Sequence, residues 1–462
     1  MRWMRCPKRR KLYISIALPV GQRDNFKADF LLKFGLNMKI NSEMIYPAEK
    51  GQGIIHLERK YLDREGTRLS EHRFTYRQSD FREDNVIRYS EDNGESFGEW
   101  MPCSESSSGS RFYGCDELHF EDIGHVYDPI NKLHISTRLS RYSLGGHKAA
   151  YAASGSGEAT YFDHQYLVLR RDGEDEPFAV QMIKYEDGRD FDENDPRDPD
   201  FLYKNIGYLN APIVLKSGKI AVPVGVTVRY ACKAAGLDVS EVFPSAPDLH
   251  RAVMVAIGEY DALTEKYSFE FSSPVIIDDL RSSRGIDEPI ITELSSGRLL
   301  LVMRGSNVRT AYSRIKEGTP SYKWYSYSDD GGATFTPAEP WRFDDGSPIY
   351  SSATISDFVR SSKNGKLYWI GNITDSTAYG NDPRYPLCIA EVDEDAGLLI
   401  SESVTVIDTR REGDLPTVQL SNFSVLENRI TGNFELYLGK VWQYDSADPF
   451  LGETWKYEIV LD

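Results

Sequence analysis

The sequence predicts an all-β chain, a six- or seven-bladed β-propeller of four-stranded antiparallel blades. Three observations predict it. The first is a recurring kernel of apolar strand, Gly or Asn turn, basic residue and second apolar strand, found at 126–135, 211–220, 289–300 and 362–369. The second is composition: 28 Tyr and 21 Phe favour strands, and long helical periodicity is scarce. The third is a pair of octapeptides of the form S-x-D-x-G-x-[ST]-[FW], Ser90 to Phe97 and Ser328 to Phe335, lying 238 positions apart.

Taken in order, residues 1–37 stand apart from the propeller. A basic head (MRWMRCPKRRK) precedes a short apolar run (LYISIALPVG) that holds a Pro, and no A-x-A site follows. Three readings stay open: a start-site extension with Met38 as the true start, an export signal, or an ordered extra segment. From residue 38 to 462 the chain reads as one propeller domain. The turn glycines Gly218, Gly297 and Gly365 are 79 and 68 positions apart, a repeat length that suits a blade with loop insertions. Segments 138–160 and 186–207 are too long for hairpin turns and are where a site would be built on a rigid ring. The C-terminal run from Trp442 ends strand-like and is expected to complete the first blade.

Net charge is −17 over 462 residues, which argues against a nucleic-acid partner. No apolar run reaches the length of a membrane-spanning helix. An anionic ligand would need a local cluster of Arg to overcome the general field. Five widely spaced Cys, with no C-x-x-C, favour a reducing compartment, so the cytoplasm over export. Cys103 and Cys115 could pair, although nothing demands it. No cofactor is expected. Structural zinc (Cys232 with His250) and calcium (the acidic run 186–200) stay open, but neither has a full ligand set in the sequence. Oligomeric state does not follow from the sequence.

Each octapeptide is a tight turn: Asp92 or Asp330 caps backbone N–H groups, a Gly takes positive φ, and the ring of Phe97 or Phe335 packs beneath. These are the Asp-box pattern, and with them the chain resembles the sialidase-like (neuraminidase-type) propeller superfamily. A second stretch carries the resemblance further. Glu288 opens the hairpin EPIITELSSGRL, and Arg304 closes it, so both should emerge at one end of the sheet. In sialidases the matching Glu activates a Tyr nucleophile and the Arg holds the substrate carboxylate. The resemblance implies an exo-acting glycosidase with an acidic oligo- or polysaccharide substrate. Its third Arg would be Arg384 or Arg360, and its Tyr would be Tyr350 or Tyr385. The early R-I-P motif has no counterpart, since the region reads GIIHLERKY, and the family's Asp acid is not identifiable.

A second constellation comprises His147, His164, Tyr208 and Arg229. Its spacing resembles that of propeller lyases cleaving beside a uronic acid, such as ulvan and rhamnose–glucuronate lyases: His147 and His164 are 17 apart, and Tyr208 follows after 44. Elimination needs a base for the proton α to the carboxylate, an acid for the leaving oxygen and a cation for the carboxylate; His, Tyr and Arg suit these tasks. The leading expectation is therefore a sialidase-like exo-glycosidase. The alternatives are a polysaccharide lyase and a glycan-binding propeller without catalysis.

Overall fold

Six antiparallel sheets follow one another along the chain and close into a ring, a six-bladed β-propeller. The computed structural model describes residues 38–103, 108–147, 160–208, 211–244, 246–309 and 313–462. The expectations for residues 1–37 lie outside these. The blades span 54–102, 108–182, 213–271, 287–340, 357–408 and, for the sixth, 423–460 joined by 39–46. The kernels at 211–220, 289–300 and 362–369 are each the first hairpin of a blade, and that at 126–135 joins the second and third strands of its blade; that at 289–300 is made by strands Asp287–Glu293 and Leu299–Arg304.

A strand pressed between two blades needs apolar side chains on both faces. Strand Ile220–Thr227 is buried at every position, and Leu299 to Met303 are buried without a break. Alternation then divides the load. Leu299, Leu301 and Met303 pack with Val253 and Val255 of the third blade. Leu300 and Val302 pack with Trp369 and Ala390 of the fifth.

Two segments differ from the reading above. Residues 138–143 are the end of strand Leu133–Ser143 rather than loop, because that hairpin runs long; 148–159 lie outside the described residues. Ring closure is also the reverse of what was expected. Strand Thr454–Val460 stays in the last blade, and strand Lys39–Tyr46 crosses to pair with it antiparallel, Lys39 opposite Val460. The N-terminal strand completes the last blade, and no C-terminal strand completes the first. Cys103 and Cys115 are both free thiols. Cys232 is buried in helix Val228–Ala235, while His250 lies against the ring of Phe243. Among the described residues no three His, Cys, Asp or Glu side chains cluster as metal ligands, and no helix is long and apolar enough to cross a membrane.

The two octapeptides fold alike. Ser90 Oγ accepts from Gly94 N and Ser328 Oγ from Gly332 N, each at 2.8 Å. Asp92 Oδ1 accepts from Ser96 N at 2.8 Å, and Asp330 Oδ1 from Thr334 N at 2.9 Å. Gly94 and Gly332 take φ of 83° and 97°. Phe97 lies under the guanidinium groups of Arg59 and Arg88. The carboxylates are not buried caps: Asp330 faces solvent. Hydrogen bonds from Ser96 and Thr334 respectively hold Asp92 and Asp330 down at about 2, against an ordinary 3.8. A depressed carboxylate stabilises the fold above its unfolded value and loses that contribution as pH falls through its folded one. Asp92→Ala and Asp330→Ala should each lower the melting temperature at neutral pH, with the difference from wild type shrinking as pH falls from about 3.8 toward about 2. A melting difference that is unchanged over that window would mean the carboxylate charge is not what holds the turn.

Candidate active site

Strands in a blade alternate in direction, so the start of the first, the end of the second and the start of the third share one face of the ring. In the fourth blade those positions hold Asp287, Arg304 and Lys323, which lie directly opposite one another across the three strands. A bulge follows Asp287: the register passes from Asp287–Arg304 to Ile290–Val302. Glu288 sits in the bulge with φ of +45°, a backbone region that non-glycine residues seldom occupy. The strained turn aims Glu288 at Arg304, whose Nη1 donates to Glu288 Oε1 at 2.5 Å. Glu288 Oε2 is buried and has no hydrogen-bond partner among the described residues.

More cations converge from the loops on this face. Arg384, in the loop between Leu367–Asn372 and Leu387–Asp393, is anchored by Gln419 Oε1 (3.0 Å), Ser421 Oγ (3.2 Å) and Ala353 O (2.9 Å). Its Nε is buried and has no partner among the described residues. Burial, and then the charge of Arg304, bring Arg384 down to about 10. Burial and Arg304 also lower the basicity of Arg284, in the link before the fourth blade. Burial brings Lys323 down to about 7, opposed by Glu288 and reinforced by Arg304 and Arg384. Burial and then Glu288 raise Asp287 above the ordinary carboxylate range. Arg284, Arg304, Lys323 and Arg384 thus outnumber Asp287 and Glu288 in a chain whose net charge is −17. An unmet donor on Arg384 and an unmet acceptor on Glu288 suit a polar, anionic ligand.

Tyr208 completes the group from the link between the second and third blades. It exchanges backbone hydrogen bonds with Gly225, at 3.1 and 3.3 Å. A Cβ on Gly225 would meet Tyr208 Cβ at 3.4 Å and Asp287 Oδ1 at 3.5 Å, so glycine there lets the two residues close together. Burial raises the Tyr208 hydroxyl well above its ordinary value; next in size are the charges of Glu288 and Asp80. Asp80 lies in the turn after strand Leu69–Gln78. Beyond it, Arg141 and Asp163 form a buried bidentate pair at 2.7 and 2.9 Å, with Arg141 over the ring of Tyr161.

Of the residues singled out from the sequence, Glu288, Arg304, Arg384 and Tyr208 come together. The others do not join them. His164 is fully buried, its Nε2 2.8 Å from Phe201 O and its ring stacked on Phe201 at 4.0 Å. Burial holds it neutral, down at about 4. His147 lies against Phe81, with Nε2 3.0 Å from Ser79 O. Arg229 is exposed and paired with Asp248 at 2.6 Å. Arg360 is exposed and paired with Glu394 at 2.7 Å. Tyr350 stacks on Tyr322, and Tyr385 packs in the core between the fifth and sixth blades. Sequence reasoning missed Asp80, Arg284, Asp287 and Lys323. The run RGIDEP carried a signal for Arg284 and Asp287, because residues beside Glu288 share its end of the strand. Lys323 and Asp80 carried none.

No protein-family model matches the sequence, and no curated protein matches it. Solved structures do match. A protein of unknown function from Dyadobacter fermentans DSM 18053 superposes with a TM-score of 0.52 at 14% identity, over 90% of this chain and 99% of that one. A point variant of the NanB sialidase from Streptococcus pneumoniae gives 0.50 at 11%, over 91% and 70%. The intramolecular trans-sialidase from Ruminococcus gnavus, solved with oseltamivir carboxylate, gives 0.50 at 10%, over 91% and 97%. At such identities the likeness is one of fold, and the chain has a six-bladed propeller fold like that of those sialidases.

Proposed function

We propose that this chain is an exo-acting, sialidase-like glycosidase that removes a terminal acidic sugar from a glycan. One observation carries the reading: Arg284, Arg304, Lys323 and Arg384 crowd around Glu288 at one end of the ring, against the sign of the chain's overall charge. Desolvated guanidinium groups bind a carboxylate in a way that water cannot match. Tyr208 attacks the anomeric carbon and passes its proton to Glu288, since a hydroxyl raised so far needs a neighbouring base. Asp287, whose hold on its proton is strengthened by burial and by Glu288, gives that proton to the leaving oxygen. Water then cleaves the glycosyl–tyrosine bond, and both protons return. Cleavage by β-elimination would need His147 and His164 at the sugar, and His164 is sealed against Phe201.

Arg304→Lys keeps the charge and loses the fork. On substrates carrying a carboxylate, kcat/KM should fall at least about tenfold, near 1.4 kcal/mol, and on neutral analogues much less. Equal losses on both would make Arg304 only a prop for Glu288. Tyr208→Phe should abolish turnover while retaining sugar binding, and Asp287→Asn should cost more turnover than Asp80→Asn. Product analysis separates the alternatives: an unsaturated, ultraviolet-absorbing uronate would mean a lyase, and binding without any product would mean a lectin-like ring.

His164 tests the same assignment from the other side. His164→Gln should leave turnover of the folded protein intact and reduce stability. A neutral buried imidazole loses stability as pH falls, because the unfolded chain takes up protons first. The urea midpoint of wild type should therefore drop between about 6.5 and about 4, with His56 contributing in the same window. A folded His164→Gln protein without turnover would return His164 to the chemistry.

A further inference from the structure

Among the described residues two lysines are fully buried, and they are held differently. Lys440 is 0% exposed and meets carboxylates: Asp408 Oδ2 at 2.9 Å and Asp414 Oδ2 at 3.8 Å. Lys323 is 1% exposed, and its only hydrogen bond among the described residues goes to the carbonyl of Thr354. An ammonium taken out of water without a carboxylate partner is costly to keep charged. Its surroundings tip the balance further. On the neighbouring strand Arg304 lies directly opposite, and Arg384 approaches from the fifth blade; both repel a charge on Nζ. Only Glu288 favours it, and Glu288 is already taken by Arg304.

We infer that Lys323 is the proton-accepting cation of the cluster, gaining its charge when a ligand carboxylate enters beside Arg304 and Arg384. Binding then draws one proton from solvent onto the Nζ lone pair, and no covalent bond is made or broken. The incoming negative charge offsets the two guanidinium groups that had kept Lys323 neutral. Lys323 starts from about 7, so the uptake grows as pH rises through neutrality. Asp287, raised by burial and by Glu288, is another buried group of the cluster whose proton a ligand could move, and the Lys323→Met variant separates the two. Lys323 would thereby favour acidic sugars over neutral ones and make their affinity fall in alkali.

This inference rests on the acidic-sugar reading, and the test separates the two. Free N-acetylneuraminate and free glucuronate are titrated into the whole protein by calorimetry, in pairs of buffers with different ionisation heats, from pH 5 to 9. The result expected for at least one sugar is uptake approaching one proton above neutrality and a Kd that rises by up to about tenfold per pH unit there. Lys323→Met should bind more weakly at neutral pH, with neither uptake nor that slope. Binding by wild type with no proton uptake overturns the role of Lys323 and leaves the acidic-sugar reading standing. So does a folded Lys323→Met protein that keeps the uptake. Failure of both sugars to bind at every pH overturns the reading and this inference together.

Discussion

The register of the fourth blade governs what gathers at the mouth of the ring. Asp287, Arg304 and Lys323 face one another only because their three strands pair as they do, and the bulge after Asp287 turns Glu288 into the same space. A slip of one residue would send the whole row to the opposite face and push Leu301 and Met303 out of their contacts with the third blade. Apolar packing along the strands therefore enforces the polar geometry at their ends. The hydrophobic effect supplies the precision, and the charged groups inherit it.

The cluster is expensive for the fold. Arginines lowered by burial and by each other, together with a lysine lacking a carboxylate partner, cost stability that the apolar blades must offset. Such concentrations of strain and unmet hydrogen bonding are characteristic of sites that bind a charged ligand. The surrounding acidic surface acts at longer range and is screened by salt, whereas the desolvated cluster is screened much less. High ionic strength should weaken the surface's repulsion of an anion more than the cluster's attraction for it.

Much of the architecture was legible because propeller blades are local. A hairpin such as 289–300 announces itself within a dozen residues, and the twin octapeptide turns do the same. Glu288 and Arg304 were legible for that reason: one hairpin brings them together. Arg384 was reachable only through resemblance, and Lys323 was invisible, since a lysine after a long loop carries no mark of burial. The spacing of His147, His164 and Tyr208 misled because it says nothing about direction. His164 and its neighbour Asp163 lie on one strand, yet Asp163 meets Arg141 and His164 stacks on Phe201. Ring closure was misjudged because an apolar strand at either end of the chain could supply the missing edge; only the pairing of Lys39 with Val460 decides.

That closure has a geometric corollary. Strand Thr454–Val460 is the third of its blade, so Val460 lies on the face opposite the arginines, and Lys39 lies beside it. The two ends of the ring are thus neighbours on its far side. A short linker could join them, and the chain could be reopened at a surface turn, such as Ser295–Gly297, without disturbing the cationic mouth. Tethered by either end to a bead or a larger assembly, the ring would present that mouth outward, toward solution rather than toward its support.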